Sequence, residues 1–215
     1  MADAPTRSPI RPRAWMFLLV LGVAVIVAAA LSVKVVSIGD ADAVAAGGFD
    51  PATFADEQYA EIAATIESDA IPLARLLADL DGGADEADFG NTSGASSAYA
   101  FPVTFEATAQ ALTEPVLPVT VEGVPDDVTV QVQVGPAING TALRDVTGTI
   151  SFNEFTNQLE YQTVGTELNN QARDQALAGF DAAAAEGRTV QVTGAFLRVN
   201  PQLVSVVPVS IEVVP

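Results

Sequence analysis

The 215-residue chain contains no cysteine and no histidine. The first absence rules out disulfides, cysteine nucleophiles and thiolate zinc sites; the second rules out imidazole ligands and every catalytic triad built on a histidine base. Basic side chains are scarce as well, with nine Lys and Arg against 27 Asp and Glu and a formal charge of −18. Four of the nine (Arg7, Arg11, Arg13 and Lys34) lie in the first 34 positions beside a single acid, Asp3. The remaining five face 26 acids, a charge near −21 that repels phosphate backbones and argues against nucleic acid as a partner. The only tryptophan, Trp15, also lies in the N-terminal segment, so the body has no tryptophan-lined cleft of the kind that grips saccharides.

What the N-terminus does have is one long apolar run. Residues 14–33 (AWMFLLVLGVAVIVAAALSV) carry no charge. At 1.5 Å per residue, twenty residues make a helix of about 30 Å, the thickness of a bilayer's hydrocarbon core. The three arginines of residues 1–13 flank it on one side, and beyond Lys34 no basic residue occurs before Arg75. The positive-inside rule therefore puts the N-terminus in the cytoplasm and the body outside, with Trp15 as an interfacial anchor. A cleavable signal peptide is the alternative, since Ala28-Ala29-Ala30 offers small residues after a shorter apolar core. The run continues past that point to spanning length, which favours an uncleaved single-pass anchor.

Residues 34–97 read as a helical segment followed by an acidic flexible loop. Asp50-Pro51 has the chemistry of a helix start. Phe54, Tyr59, Ile62 and Ile66 then recur at helical spacing among acids. Pro72 breaks that run and opens a second short helix with Leu73, Leu76, Leu77 and Leu80 on one face, predicting two helices that pack on the following domain. The stretch DGGADEADFGNTSGASS (residues 81–97) reads as a mobile loop. Asp79 and Asp81 open like a calcium loop, but Gly83 and Ala84 fall where a ligand and a glycine are required, so no metal is expected.

From Tyr99 the period becomes two. Tyr99, Phe101, Val103 and Phe105 alternate with polar or small residues, and Val128, Val130, Val132 and Val134 alternate with Thr129, Gln131 and Gln133. Pro115 and Pro118 confine the intervening residues 116–121 to a short or edge strand. A helical stretch over residues 153–186 follows, which Gly165 divides and Gly187 stops. Strands over residues 189–199 and 204–213 then flank an Asn200-Pro201-Gln202 turn, with a bulge at Gly194. Three strands, a helix and two strands predict a mainly β (α+β) domain over residues 98–215: an OB-like five-stranded barrel whose helix, between strands 3 and 4, plugs the open end. A split α+β sheet with one long crossover is the alternative.

Between the third strand and the helix lies GPAINGTALRDVTGTISFNEFTNQLEY (residues 135–161), the densest set of uncharged polar residues in the chain. Its runs G-P-x-I-x-G-T-A-L-R-D and I-S-F-N-E-F-T-N-Q-L-E-Y resemble a bacterial family of unknown function described as predicted periplasmic lipoproteins. The resemblance extends from about Val35 to the C-terminus. It implies a location outside the cytoplasm and a genomic neighbourhood of sugar ABC importers, but no chemistry. The absence of cysteine departs from the lipoprotein pattern, so the membrane attachment must come from the N-terminal helix.

Two readings of the motif compete. In one, Gly135-Pro136 and Asn139-Gly140 make turns, Arg144 and Asp145 form an ion pair that organises the chain, and Asn153 caps the helix with Phe152 as its hydrophobic staple. In the other, Arg144, Asp145, Asn153, Asn157, Gln158 and Asn169 form a ligand or partner surface at the barrel mouth, their amides suited to sugar hydroxyls. The architectural role is expected for Arg144. Asn157 is expected to belong to the surface, because no backbone task is evident for it. No catalytic group and no cofactor is expected. The chain thus reads as a membrane-anchored extracytoplasmic accessory or binding protein with importer components or a small sugar as partners; the alternative is a carboxylate-based saccharide hydrolase.

Overall fold

The computed structural model describes residues 49–93 and 98–214. The expected anchor over residues 14–33 lies outside these, and among the described residues no helix is long and apolar enough to cross a membrane. Helix α1 (Pro51–Asp69) begins as its sequence predicts, with the Asp50 side chain accepting from the Ala52 amide. That bond and a second one from the Thr53 hydroxyl hold the Asp50 carboxyl below its ordinary range. Pro72 ends the first helical run inside a two-residue strand, β1 (Ile71–Pro72), and helix α2 (Leu73–Asp81) follows at once.

Five longer strands then form the barrel: β2 (Ala100–Ala109), β3 (Val116–Val121), β4 (Thr129–Gln133), β5 (Thr189–Leu197) and β6 (Leu203–Val213). Their order is β2-β3-β4-β6-β5, and β5 closes the cylinder on β2 over a nine-residue antiparallel register from Ala100↔Leu197 to Thr108↔Thr189. β4 and β6 run parallel and every other barrel pair is antiparallel. This is the OB arrangement and excludes the open split sheet. The bulge falls at Thr193/Gly194, where a Cβ on Gly194 would collide with the Val207 carbonyl. β3 is not an edge strand. Its Pro118 stands beyond the short β2 ladder (Val119–Val121), so the missing N–H costs no bond there, and the Pro118 carbonyl accepts from Gln110.

Alternation along these strands fills the interior with Phe101, Val103, Phe105, Val130, Val132, Val190, Val192, Val204 and Val206. The plug is not the helix between strands 3 and 4. Leu73, Leu76 and Leu77 of α2 join the interior cluster, and α2 lies beside the β3–β4 turn, where a Cβ on Gly123 would come 3.2 Å from Ala74. The other end is covered by the turns before β5, which contribute Ala185, Leu177 and Phe180. The acidic stretch after α2 is also organised where it is described: a short 3-10 turn (Glu86–Asp88) is capped by Asp85, and Glu86 pairs with Arg198.

The main helix, α4 (Gln158–Gln175), instead packs with α1 and the short α3 (Ala142–Asp145) on the outer wall of the barrel. A second apolar cluster forms there from Tyr59, Ile62 and Ile66 of α1, Tyr161, Val164 and Leu168 of α4, and Ala100, Ala195, Val207 and Val209 of the barrel. Gly165 does not divide α4; it is buried on the face turned toward Thr141 and Arg144. The Tyr59 hydroxyl is buried here without a hydrogen-bond partner, and burial, with the Glu67 charge, pushes its pKa up to about 12.

Candidate functional site

The signature stretch leaves β4 as an exposed loop, turns through α3 and a 3-10 turn (Phe152–Glu154), and enters α4. It separates the six expected site residues into two groups. Arg144, Asp145 and Asn169 are buried, at 5%, 2% and 3% exposure. Asn153, Asn157 and Gln158 are exposed. They do not form one cluster at a barrel mouth; the buried three sit in the layer between α4 and the barrel wall.

Arg144 and Asp145 are adjacent in sequence and form a two-pronged pair: Nε donates to Oδ1 at 2.7 Å and Nη2 to Oδ2 at 3.2 Å. The remaining guanidinium donors are used as well. Nη1 donates to the Tyr161 carbonyl at 3.2 Å and Nη2 to the Ser93 hydroxyl at 3.4 Å, while the guanidinium carbon lies 3.7 Å from the centre of the Tyr161 ring. Asp145 takes a further bond from the Thr141 hydroxyl at 2.6 Å. A buried charge is tolerated only when paired and bonded in this way, and the fork of a guanidinium can join three chain segments at once. Here it ties α3, the start of α4 and the segment before β2. The architectural expectation for Arg144 matches this geometry. Tyr161 and Ser93, 17 and 51 residues away, have no local sequence signal that links them to it.

Asn169 performs a second task. Its amide donates to the carbonyls of Ile138 at 3.3 Å and Gly140 at 2.9 Å, and its own oxygen is buried without a partner. Gln133 grips the same loop from the other side, donating to the Asn139 carbonyl at 3.0 Å and accepting its N–H at 2.8 Å. Arg173 reaches the Pro136 carbonyl at 3.4 Å. Pro136, Ala137, Asn139 and Gly140 are exposed, yet three side chains from β4 and α4 fix their backbone. At Gly135 any Cβ would strike Pro115, so the loop's first residue has to be glycine.

The exposed amides have different roles from those expected. Asn153 is not the cap of the main helix. Ser151 caps the 3-10 turn through a capping box with Glu154, and Phe152 is 43% exposed, packing edge-on to Tyr161 rather than serving as a buried staple. Asn157 caps α4, accepting the Glu160 N–H at 3.0 Å, so it does have a backbone task. The spacings Ser151-x-x-Glu154 and Asn157-x-x-Glu160 were readable signals of both starts. Gln158 is simply the first residue of the helix. Among the described residues, no group of three or more acids is placed to hold a metal ion. Neither of two surface grooves, of about 280 and 340 Å³, is lined by any of the six residues.

Comparison with known proteins agrees with the fold. The crystal structure of an OB-fold protein from Thermotoga maritima superposes with a TM-score of 0.61 at 18% identity, covering 78% of this chain and 99% of that one. No curated protein matches. The model of the family DUF2291, described as a predicted periplasmic lipoprotein, matches residues 23–212 and so takes in the whole barrel, both helical layers and the signature stretch. The chain belongs to this family of predicted periplasmic lipoproteins.

Proposed function

We infer that the protein is a membrane-tethered extracytoplasmic accessory protein that acts by contact with a partner and not by turnover. Family membership supports the location outside the cytoplasm. The chain has no cysteine to carry a lipid, so the tether in this reading is the apolar run of residues 14–33. The observation that carries the mode of action is the clamped loop of residues 136–140. A surface loop normally satisfies its backbone with water. This one is held by Gln133, Asn169 and Arg173 and presents a fixed shape, which reduces the ordering cost of binding. The barrel, by contrast, is filled by its own side chains and leaves no chamber for a ligand.

The finer reading takes the partner to be a component of a sugar ABC importer, as the family resemblance implies. A photo-crosslinking residue at Asn139, placed in the full-length protein in its native membrane, tests both levels. Crosslinking to an importer subunit is the expected result. Crosslinking to an unrelated envelope protein would remove the importer and keep the accessory role. A loop that never crosslinks, while the protein is present and folded, would sink the contact reading.

A further inference from the structure

The smaller groove, of about 280 Å³, lies across the β3–β4 hairpin, on the far side of its strands from the packed interior. It stands on its own chemistry and does not depend on the accessory reading. Its polar rim is made by Thr120, Thr129, Gln110 and Asp126, and Pro118 and Pro125 add apolar surface. The Gln110 amide donates to the Thr120 hydroxyl at 2.7 Å, which fixes that oxygen as an acceptor and turns its proton outward. The neighbouring outward positions continue in the same uncharged chemistry, with Gln131 donating to Ser205 at 3.0 Å.

The lining sorts ligand classes by elimination. It contains no Lys or Arg, and its only charge is the Asp126 carboxylate, so a phosphate or other anion would be repelled. A lone carboxylate is too few ligands for a divalent cation. Hydroxyl and amide groups alternating with proline surface would leave a purely hydrocarbon ligand facing unsatisfied polar atoms. A ring with hydroxyls on its edge and C–H groups on its face satisfies both kinds of surface, and a carboxylate can accept from two neighbouring hydroxyls at once. The volume lies just under the roughly 300–1,000 Å³ of typical small-molecule sites, which limits the ligand to a single ring.

We propose that the β3–β4 groove, through Thr120, Thr129 and Asp126, binds a small neutral polyhydroxylated molecule of the size of one sugar ring or cyclitol. No aromatic side chain lines the groove to stack on the ring, so affinity is modest, with a Kd on the order of 1 mM.

The test is a titration of the ¹⁵N-labelled full-length chain with glucose, ribose and myo-inositol in turn, in a detergent without a sugar headgroup. At least one probe should shift the amides of Thr120, Asp126 and Thr129 saturably, leaving the loop at Asn139 and the other groove at Asp181 in place. Thr129→Val combined with Asp126→Ala should weaken that probe about tenfold or more, since two directed hydrogen bonds are lost. Three outcomes overturn the proposal: no saturable shift in the groove at concentrations about tenfold above the expected Kd, shifts that map elsewhere, or unchanged affinity in the folded double variant.

Discussion

The protein has two cores built on different rules. Inside the barrel every fully enclosed side chain is apolar, and Phe101 and Phe196 pack with ring centres 5.5 Å apart. Outside the wall, the layer between the barrel and α1 and α4 encloses an ion pair, an amide and an unpartnered phenol among its hydrocarbon side chains. The interior is closed by alternation: each strand contributes every second residue, and the hydrogen-bond ladder satisfies the backbone. The outer layer has no ladder of its own. It brings together α1, α3, α4 and the segment before β2, and Arg144 supplies the directed bonds that hydrophobic contact cannot. A buried pair of this kind adds little net stability over a well-packed apolar substitute, but it fixes which segments meet.

The sharpest way to break this contrast is to place one charge in each kind of environment. Val132 is fully buried in the interior and Gln131 faces outward beside Ser205. Val132→Asp should cost about 4 kcal/mol or more, because an unpaired carboxylate finds no partner there. Gln131→Asp should stay within about 1 kcal/mol. Equal melting temperatures for the two would overturn the assigned facing of β4.

In the outer layer the comparable change is removal of a charge. Arg144→Ala strands the Asp145 carboxylate and should cost about 3–5 kcal/mol by denaturant titration. Arg144→Lys should recover little of that, since an ammonium cannot reach both carboxylate oxygens, the Tyr161 carbonyl and Ser93 together. If the lysine variant melted like the wild type, charge alone would suffice and the fork would be incidental.

The smallest effect belongs to the exposed amides. Asn157→Ala removes the cap of α4 and should cost about 1 kcal/mol, with Asn157→Asp restoring most of it. The same substitution should leave contact through the loop at Asn139 unchanged. Loss of crosslinking at Asn139 in the folded Asn157→Ala protein would mean that the cap and the loop act together.

The elements the sequence made legible are those whose signal is local. Alternating valines marked β4, Asp50-Pro51 marked the start of α1, Pro72 marked its break, and Gly194 marked the bulge, because each depends on backbone preferences within a few residues. The strand–helix order was enough to reach the OB barrel. The helix capping was also local and was misread only because Asn153 drew attention from the Ser151 and Asn157 spacings. Tertiary structure alone decided the rest. Hydrophobic spacing showed that α2 and α4 each had an apolar face, but not which face filled the barrel and which covered its wall. That depends on where β1 pins α2 to β2, at Ile71↔Val103. Composition likewise could not tell that Arg144 would be enclosed while Asn157 stayed in water. The bonds that make burial of a guanidinium tolerable come from residues 17 and 51 positions away, and only the folded chain brings them together.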